Sequence, residues 1–96
     1  MRKYEIMFIV KPDLEETAMK KVAEDMKSVL ESNHAKVLEV KEMGQKELAY
    51  EINKYKTGYY FLFTMETEDL NATKEFDRLS LISENILRHL IVRVEE

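Results

Sequence analysis

Cysteine is absent from this chain of 96 residues, tryptophan is absent too, and there are only one proline and two glycines. Without cysteine there is no disulfide framework and no thiolate metal site, and a reducing compartment fits. The two imidazoles, His34 and His89, stand far apart in different segments, so no zinc-type spacing exists and no metal is expected. Gly44 and Gly58 are isolated and neither opens a helix; this excludes a glycine-rich phosphate loop, and no serine elbow occurs either. The acid pairs Glu15-Glu16, Glu24-Asp25 and Glu95-Glu96 are adjacent in sequence. Neighbouring helical residues do not converge on one face, so they make no catalytic dyad. No enzyme activity, cofactor or small-molecule substrate is expected.

Long apolar runs are missing as well, and no membrane span is expected. Met1-Arg2-Lys3-Tyr4-Glu5 leads straight into a strand-like segment, without the apolar stretch and cleavage site of a signal peptide. One soluble cytoplasmic domain over 1–96 is the expectation. A cationic excess is also lacking: the net charge is −4, unlike a generic nucleic-acid binder. Its distribution says more. Residues 13–35 hold three lysines against six acids, whereas 36–56 hold five lysines against four glutamates. A bound polyanion should avoid the first of these segments.

What is present is strong periodicity. Tyr4–Val10 is β-branched and aromatic, with Ile6, Phe8 and Val10 on one face and Met7 and Ile9 on the other, as in a central strand. Asp13 followed by Glu16 reads as a capping box. Met19, Val22, Ala23, Met26, Val29 and Leu30 then recur at helical spacing until Ser32-Asn33, where asparagine tolerates a left-handed cap. Lys36–Ile52 reads as one long strand bent at Gly44, with Leu48, Tyr50 and Ile52 alternating as on a half-buried surface. Asn53–Gly58 reads as a turn and Tyr59–Met65 as a strand. Asp69 or Asn71 caps a second helix with Phe76 and Leu79 inward. Ser83-Glu84-Asn85 breaks it before the last strand, Ile86–Val94.

The order βαββαβ predicts an α+β, ferredoxin-like sandwich, a four-stranded antiparallel sheet with two helices on one face. The first and third strands are central; the second and fourth are edges. Parity then puts Met7, Ile9, Tyr60 and Leu62 on the uncovered face, a contiguous apolar patch of the kind that marks contact sites. Small acylphosphatases share the element order but need an arginine after the first strand, where this chain has Lys11-Pro12-Asp13. Lys56-Thr57-Gly58-Tyr59-Tyr60-Phe61 partly matches the third strand of an RNA-recognition motif, which stacks bases on an exposed sheet. Tyr59, Phe61 and Phe63 read as core, and Tyr60 stays open as a contact residue. Arg2, Lys3, Lys46, Lys54, Arg88 and Arg93 fall at strand ends and edges, where a few side chains suffice for phosphate contacts.

Three segments carry a family resemblance: Met1-Arg2-Lys3-Tyr4-Glu5-Ile6, the run Gly44 through Leu48-Ala49-Tyr50 to Ile52-Asn53-Lys54, and Ile86-Leu87-Arg88-His89-Leu90-Ile91-Val92. Together they resemble the bacterial small-subunit ribosomal protein S6 family, from Met1 to Val94. The resemblance implies a structural constituent of the small ribosomal subunit that binds 16S rRNA together with ribosomal protein S18. It carries rRNA contact over to Arg2, Tyr4, Lys46, Tyr50, Lys54 and Arg88. Tyr60 and Leu62 are the candidate partner anchors. Relatives commonly have tryptophan where Met43 stands, and more cations after the glycine than Lys46 alone. Two other classes fit the element order: a free-standing single-strand RNA binder of the RNA-recognition type, and a ferredoxin-like small-molecule regulatory module.

Overall fold

Alternation with a period of two puts Tyr4, Ile6, Phe8 and Val10 on one side of β1 (Arg2–Val10), and all four are buried. β3 (Tyr55–Thr67) lies antiparallel beside it with Phe8 opposite Phe61 and Ile6 opposite Phe63. In the computed structural model, which describes residues 2–68 and 70–94, β2 (Lys36–Ile52) and β4 (Ile86–Val94) flank this pair. The sheet order is β2-β3-β1-β4, antiparallel throughout, with β1 and β3 central as their two-sided apolar pattern requires. Two helices, α1 (Glu16–Ser32) and α2 (Asn71–Ile82), cover one face. The ferredoxin-like α+β sandwich is thus observed.

The core is centred on Phe8. Its ring stacks on Phe61 at 5.2 Å and meets Phe63 and Phe76 edge-on at 5.1 and 5.7 Å. These are preferred aromatic geometries, and each such pair adds about 0.5–1.5 kcal/mol beyond the area it buries. Phe76 arrives from α2; Met19, Ala23, Met26 and Leu30 arrive from α1 at the three- and four-residue spacing of a helical stripe.

Several local expectations give way to other chemistry. Asp13 does not cap α1. Glu15 occupies the cap position without a side-chain bond, its carbonyl accepting from the Met19 amide at 3.0 Å. Asp13 instead accepts a hydrogen bond from the Tyr55 hydroxyl at 2.9 Å. At the other end of α1 the left-handed residue is His34 (φ 68°), not Asn33 (φ −103°). The His34 amide donates to Glu31 O at 3.2 Å and that of Ala35 to Leu30 O at 3.0 Å, the paired bonds of a Schellman motif. Asn33 serves through its side chain, donating to Val29 O at 2.8 Å. Of the two caps expected for α2, Asn71 is the first helical residue, preceded by Leu70 at the cap position, and Asp69 lies outside the described residues.

The β2–β3 connection is shorter than Asn53–Gly58. It comprises Asn53 and Lys54 alone, both at positive φ (48° and 71°), as a two-residue hairpin turn of the mirror-image type demands. β3 therefore begins at Tyr55. Gly58 is not a turn glycine; a Cβ there would overlap the Ile9 Cγ2 methyl across the sheet. Gly44 (φ 88°) does mark a bulge, where Glu42 and Gly44 face Phe61 and Tyr60 with Met43 extra. A second bulge leaves Leu38 unpaired and exposed on the same edge. These kinks, with charges at Glu39, Lys41 and Glu42, discourage another strand from pairing there.

Replacing Phe8 with alanine should cost about 3–5 kcal/mol in a urea titration, with the slope of the transition unchanged. Gly58→Ala should cost about 1–3 kcal/mol by overpacking Ile9. In a double-mutant cycle Ile9→Ala should remove most of that penalty; additive losses would show that Ile9 is not what Gly58 makes room for.

Candidate nucleic-acid interface

The pleat that buries Ile6, Phe8, Phe61 and Phe63 turns their neighbours to the face without helices. Register places Met7 beside Leu62 on one side and Leu90 on the other, with Glu5 beside Val92. Leu90 and Val92 are 53% and 46% exposed. Tyr60 and Leu62 lie half-buried on this face, next to Gly44 and Lys41 of β2. Ile9, expected in the same patch, is only 6% exposed because it packs over Gly58. The β4 side chains extend the patch beyond the four residues expected from the sequence. Alternation of Arg88, Leu90 and Val92 with His89 and Ile91, read with the same parity, is the signal that points to them.

The end of this face is shaped by the β2–β3 hairpin. Between the pairs Glu47–Thr57 and Ile52–Tyr55, β2 advances five residues while β3 advances two. The surplus stretch cannot stay flat and curls across the sheet. Tyr50, from the edge strand β2, consequently reaches the opposite edge strand: its ring centroid is 5.3 Å from the guanidinium carbon of Arg88. Lys46 Nζ stands 5.8 Å from the Tyr60 ring centroid. Such exposed cation–π contacts contribute about 0.5–1 kcal/mol, enough to orient side chains but not to immobilise them. Lys54 sits at the tip with positive φ, a conformation costing a non-glycine residue roughly 1–2 kcal/mol. Arg88 also lines a recess of about 320 Å³, with Met7, Ile9, His89 and Leu90.

The structure thus brings Lys46, Tyr50, Tyr60 and Arg88 together, with Lys54 at the adjoining tip. Tyr50 is 57% exposed, more open than a half-buried alternation implies, because the ladder is interrupted around it. Arg2 is exposed but lies at the far end of β1, seven residues from the Ile9–Arg88 pair, roughly 23 Å at 3.3 Å per residue. Tyr4, to which the resemblance carries rRNA contact, belongs to the buried core at 6% exposure. Leu62 lies toward the middle of the face, between Met7 and Lys41.

Among the described residues, three charged pairs form locally on the helical side. His89 points to α2, with Nε2 2.6 Å from Asp77 Oδ1 and its ring 6.3 Å from Phe76. Lys20 pairs with Glu16 at 3.3 Å, and Arg78 pairs with Glu75. Among the described residues no group of three or more His, Asp or Glu could hold a metal ion, and no helix is long and apolar enough to cross a membrane.

The sequence profile described as ribosomal protein S6 matches residues 3–93. The crystal structure of 30S ribosomal protein S6 from Thermotoga maritima superposes with a TM-score of 0.92 at 29% identity, over 97% of this chain and 87% of that one. The C-terminal domain of the MgtC protein from Mycobacterium tuberculosis, solved in solution, superposes with a TM-score of 0.64 at 11% identity, over 100% and 90% of the two chains. At that identity it shares the fold alone.

The hairpin is tied next to its turn by the Tyr55–Asp13 bond. That bond, with lesser help from desolvation and the Asp13 charge, holds the Tyr55 phenol above its ordinary 10.0. A phenol whose folded value is raised stabilises fully below its unfolded value and loses that stabilisation as pH climbs through the folded one. The tie should therefore be intact at neutral pH and fail only in strong alkali. Tyr55→Phe should speed amide hydrogen exchange over 47–56 at pH 7 while leaving Phe8 and Phe61 amides unchanged; equal exchange in the hairpin would show that the bond ties nothing.

Proposed function

The chain belongs to the ribosomal protein S6 family, a family of the small ribosomal subunit, and from that premise we propose that it binds 16S rRNA as half of a pair with ribosomal protein S18. The observation that carries this reading is the division of the helix-free face. Its middle is apolar and exposed at Leu90 and Val92, and its hairpin end carries Lys46, Tyr50, Lys54 and Arg88. The apolar middle suits a protein partner, with Tyr60 and Leu62 as anchors; burial contributes about 25 cal/mol per Å² before ordering costs. The hairpin end suits phosphates. Lys54 supports that assignment, since glycine would suit its turn position better and a cation stands there nonetheless.

Charge explains the need for a pair. At −4, the chain offers a polyanion little long-range attraction, and α1 repels it. A basic partner on the open face supplies the missing counter-charge and leaves the acid-rich α1 side turned away. Assembly at the ribosome places the protein in the cytoplasm and requires no chemistry of its own.

Titration of a 16S rRNA fragment with each protein separately and with both should give weak, nonspecific binding alone and cooperative binding together. Leu62→Asp should abolish the cooperativity, whereas reversing Glu15, Glu16 and Glu24 should leave it intact. Replacing Lys46, Lys54 and Arg88 with alanine should shallow the salt dependence by a slope of roughly 0.7–0.9 for each phosphate no longer neutralised. Arg2→Ala measures the far end separately. Equal site-specific affinity with and without S18 would sink the pairing, and an unchanged slope would return the hairpin cations to ordinary surface charge.

A further inference from the structure

We infer that Tyr50 and Arg88 form a stacking platform for one unpaired nucleobase of the bound RNA, received by the recess that Arg88 lines. This rests on the RNA-binding reading and goes further: it assigns base contact, not only phosphate contact, to the hairpin. Tyr50 has no role in the core. Its ring is more than half exposed, so one face stays open while Arg88 approaches within 5.3 Å. Among the described residues no carboxylate lies within ion-pair range of Arg88, and its planar guanidinium remains available to a ring or a phosphate. The same arginine lines the recess with Met7, Ile9 and Leu90, whose apolar side chains suit the flat face of a base.

Size and charge choose the occupant. About 320 Å³ lies at the small end of the range of ligand pockets, roughly 300–1,000 Å³, which suits one ring system and not a helix or strand of a partner. The cations Lys46 and Lys54 on the same hairpin can take the phosphates on either side of such a base. In RNA-recognition motifs bases stack on aromatics of the sheet itself. In this chain Phe61 and Phe63 are buried under the helices and Tyr60 is half-buried on the open face, to which the curled hairpin adds a more exposed ring.

The test uses the full chain with S18 and 16S rRNA. Zero-length ultraviolet crosslinking followed by mass spectrometry should join an RNA nucleotide to Tyr50, and the joined nucleotide should be unpaired in the RNA. Tyr50→Leu should weaken binding about 5- to 150-fold, with the salt slope unchanged because every phosphate keeps its cation. Tyr50→Phe should retain affinity, and Arg88→Lys should weaken binding although the charge is kept. RNA binding by the unaltered pair that is indifferent to Tyr50→Leu would overturn this inference and leave the broader reading standing. No RNA binding by the unaltered pair would take down both. Weakened binding of Tyr50→Leu to S18 in the absence of RNA would also overturn it, because the recess would then hold a protein side chain.

Discussion

The packing of Phe8 against Phe61, Phe63 and Phe76 is the constraint on which the rest depends. It fixes which side chains of β1 and β3 point toward the helices. A strand has only two faces, so the choice that buries Ile6 and Phe8 exposes Met7, and the register carries the same decision to Leu62, Leu90 and Val92. The open apolar face is thus a by-product of the core, present before any partner arrives. Large buried aromatics also make this the costliest part of the molecule to disturb, which leaves the periphery free to carry less stable geometry.

That freedom is used in the β2–β3 hairpin. Three irregularities bend β2 along its length, at Leu38, at Gly44 and between Glu47 and Ile52. Each sacrifices ladder hydrogen bonds. Together they blunt a long edge and swing Tyr50 across the sheet to Arg88. Gly58 leaves room for Ile9 beneath that end of the face, and the Tyr55–Asp13 bond anchors the turn end of the hairpin to the β1–α1 loop. An interface assembled in this way is oriented but adjustable, which suits a surface that must meet RNA and protein together.

Element order, strand centrality and face parity are legible in the sequence because periodic patterns over nine or more residues report them redundantly. The bounds Lys36–Ile52 and Ile86–Val94 agree with the structure for that reason. Caps and turns are less legible, since each rests on one or two residues with competing uses. Asp13 has the chemistry of a cap but is taken by Tyr55, and His34 adopts the conformation expected of asparagine. Gly58 reads as the end of a turn because glycine signals both backbone freedom and missing volume, and only the position of Ile9 distinguishes them. At the interface, the resemblance points to six residues by position alone. Folding shows that Tyr4 serves the core, and it separates Arg2 from the others by the length of a strand. The meeting of Tyr50 and Arg88 is not legible, since it depends on a curl produced by mismatched strand lengths.

The central claim is that the helix-free face and its hairpin meet the ribonucleoprotein while the two helices do not. Amide hydrogen exchange of this chain, free and within the assembled small subunit, addresses that directly. Exchange should slow on assembly over 45–56 and 88–92, with exposed amides at the ends of α1 and α2 exchanging as in the free protein. Slowing confined to the two helices, with the hairpin and β4 unchanged, would contradict the account.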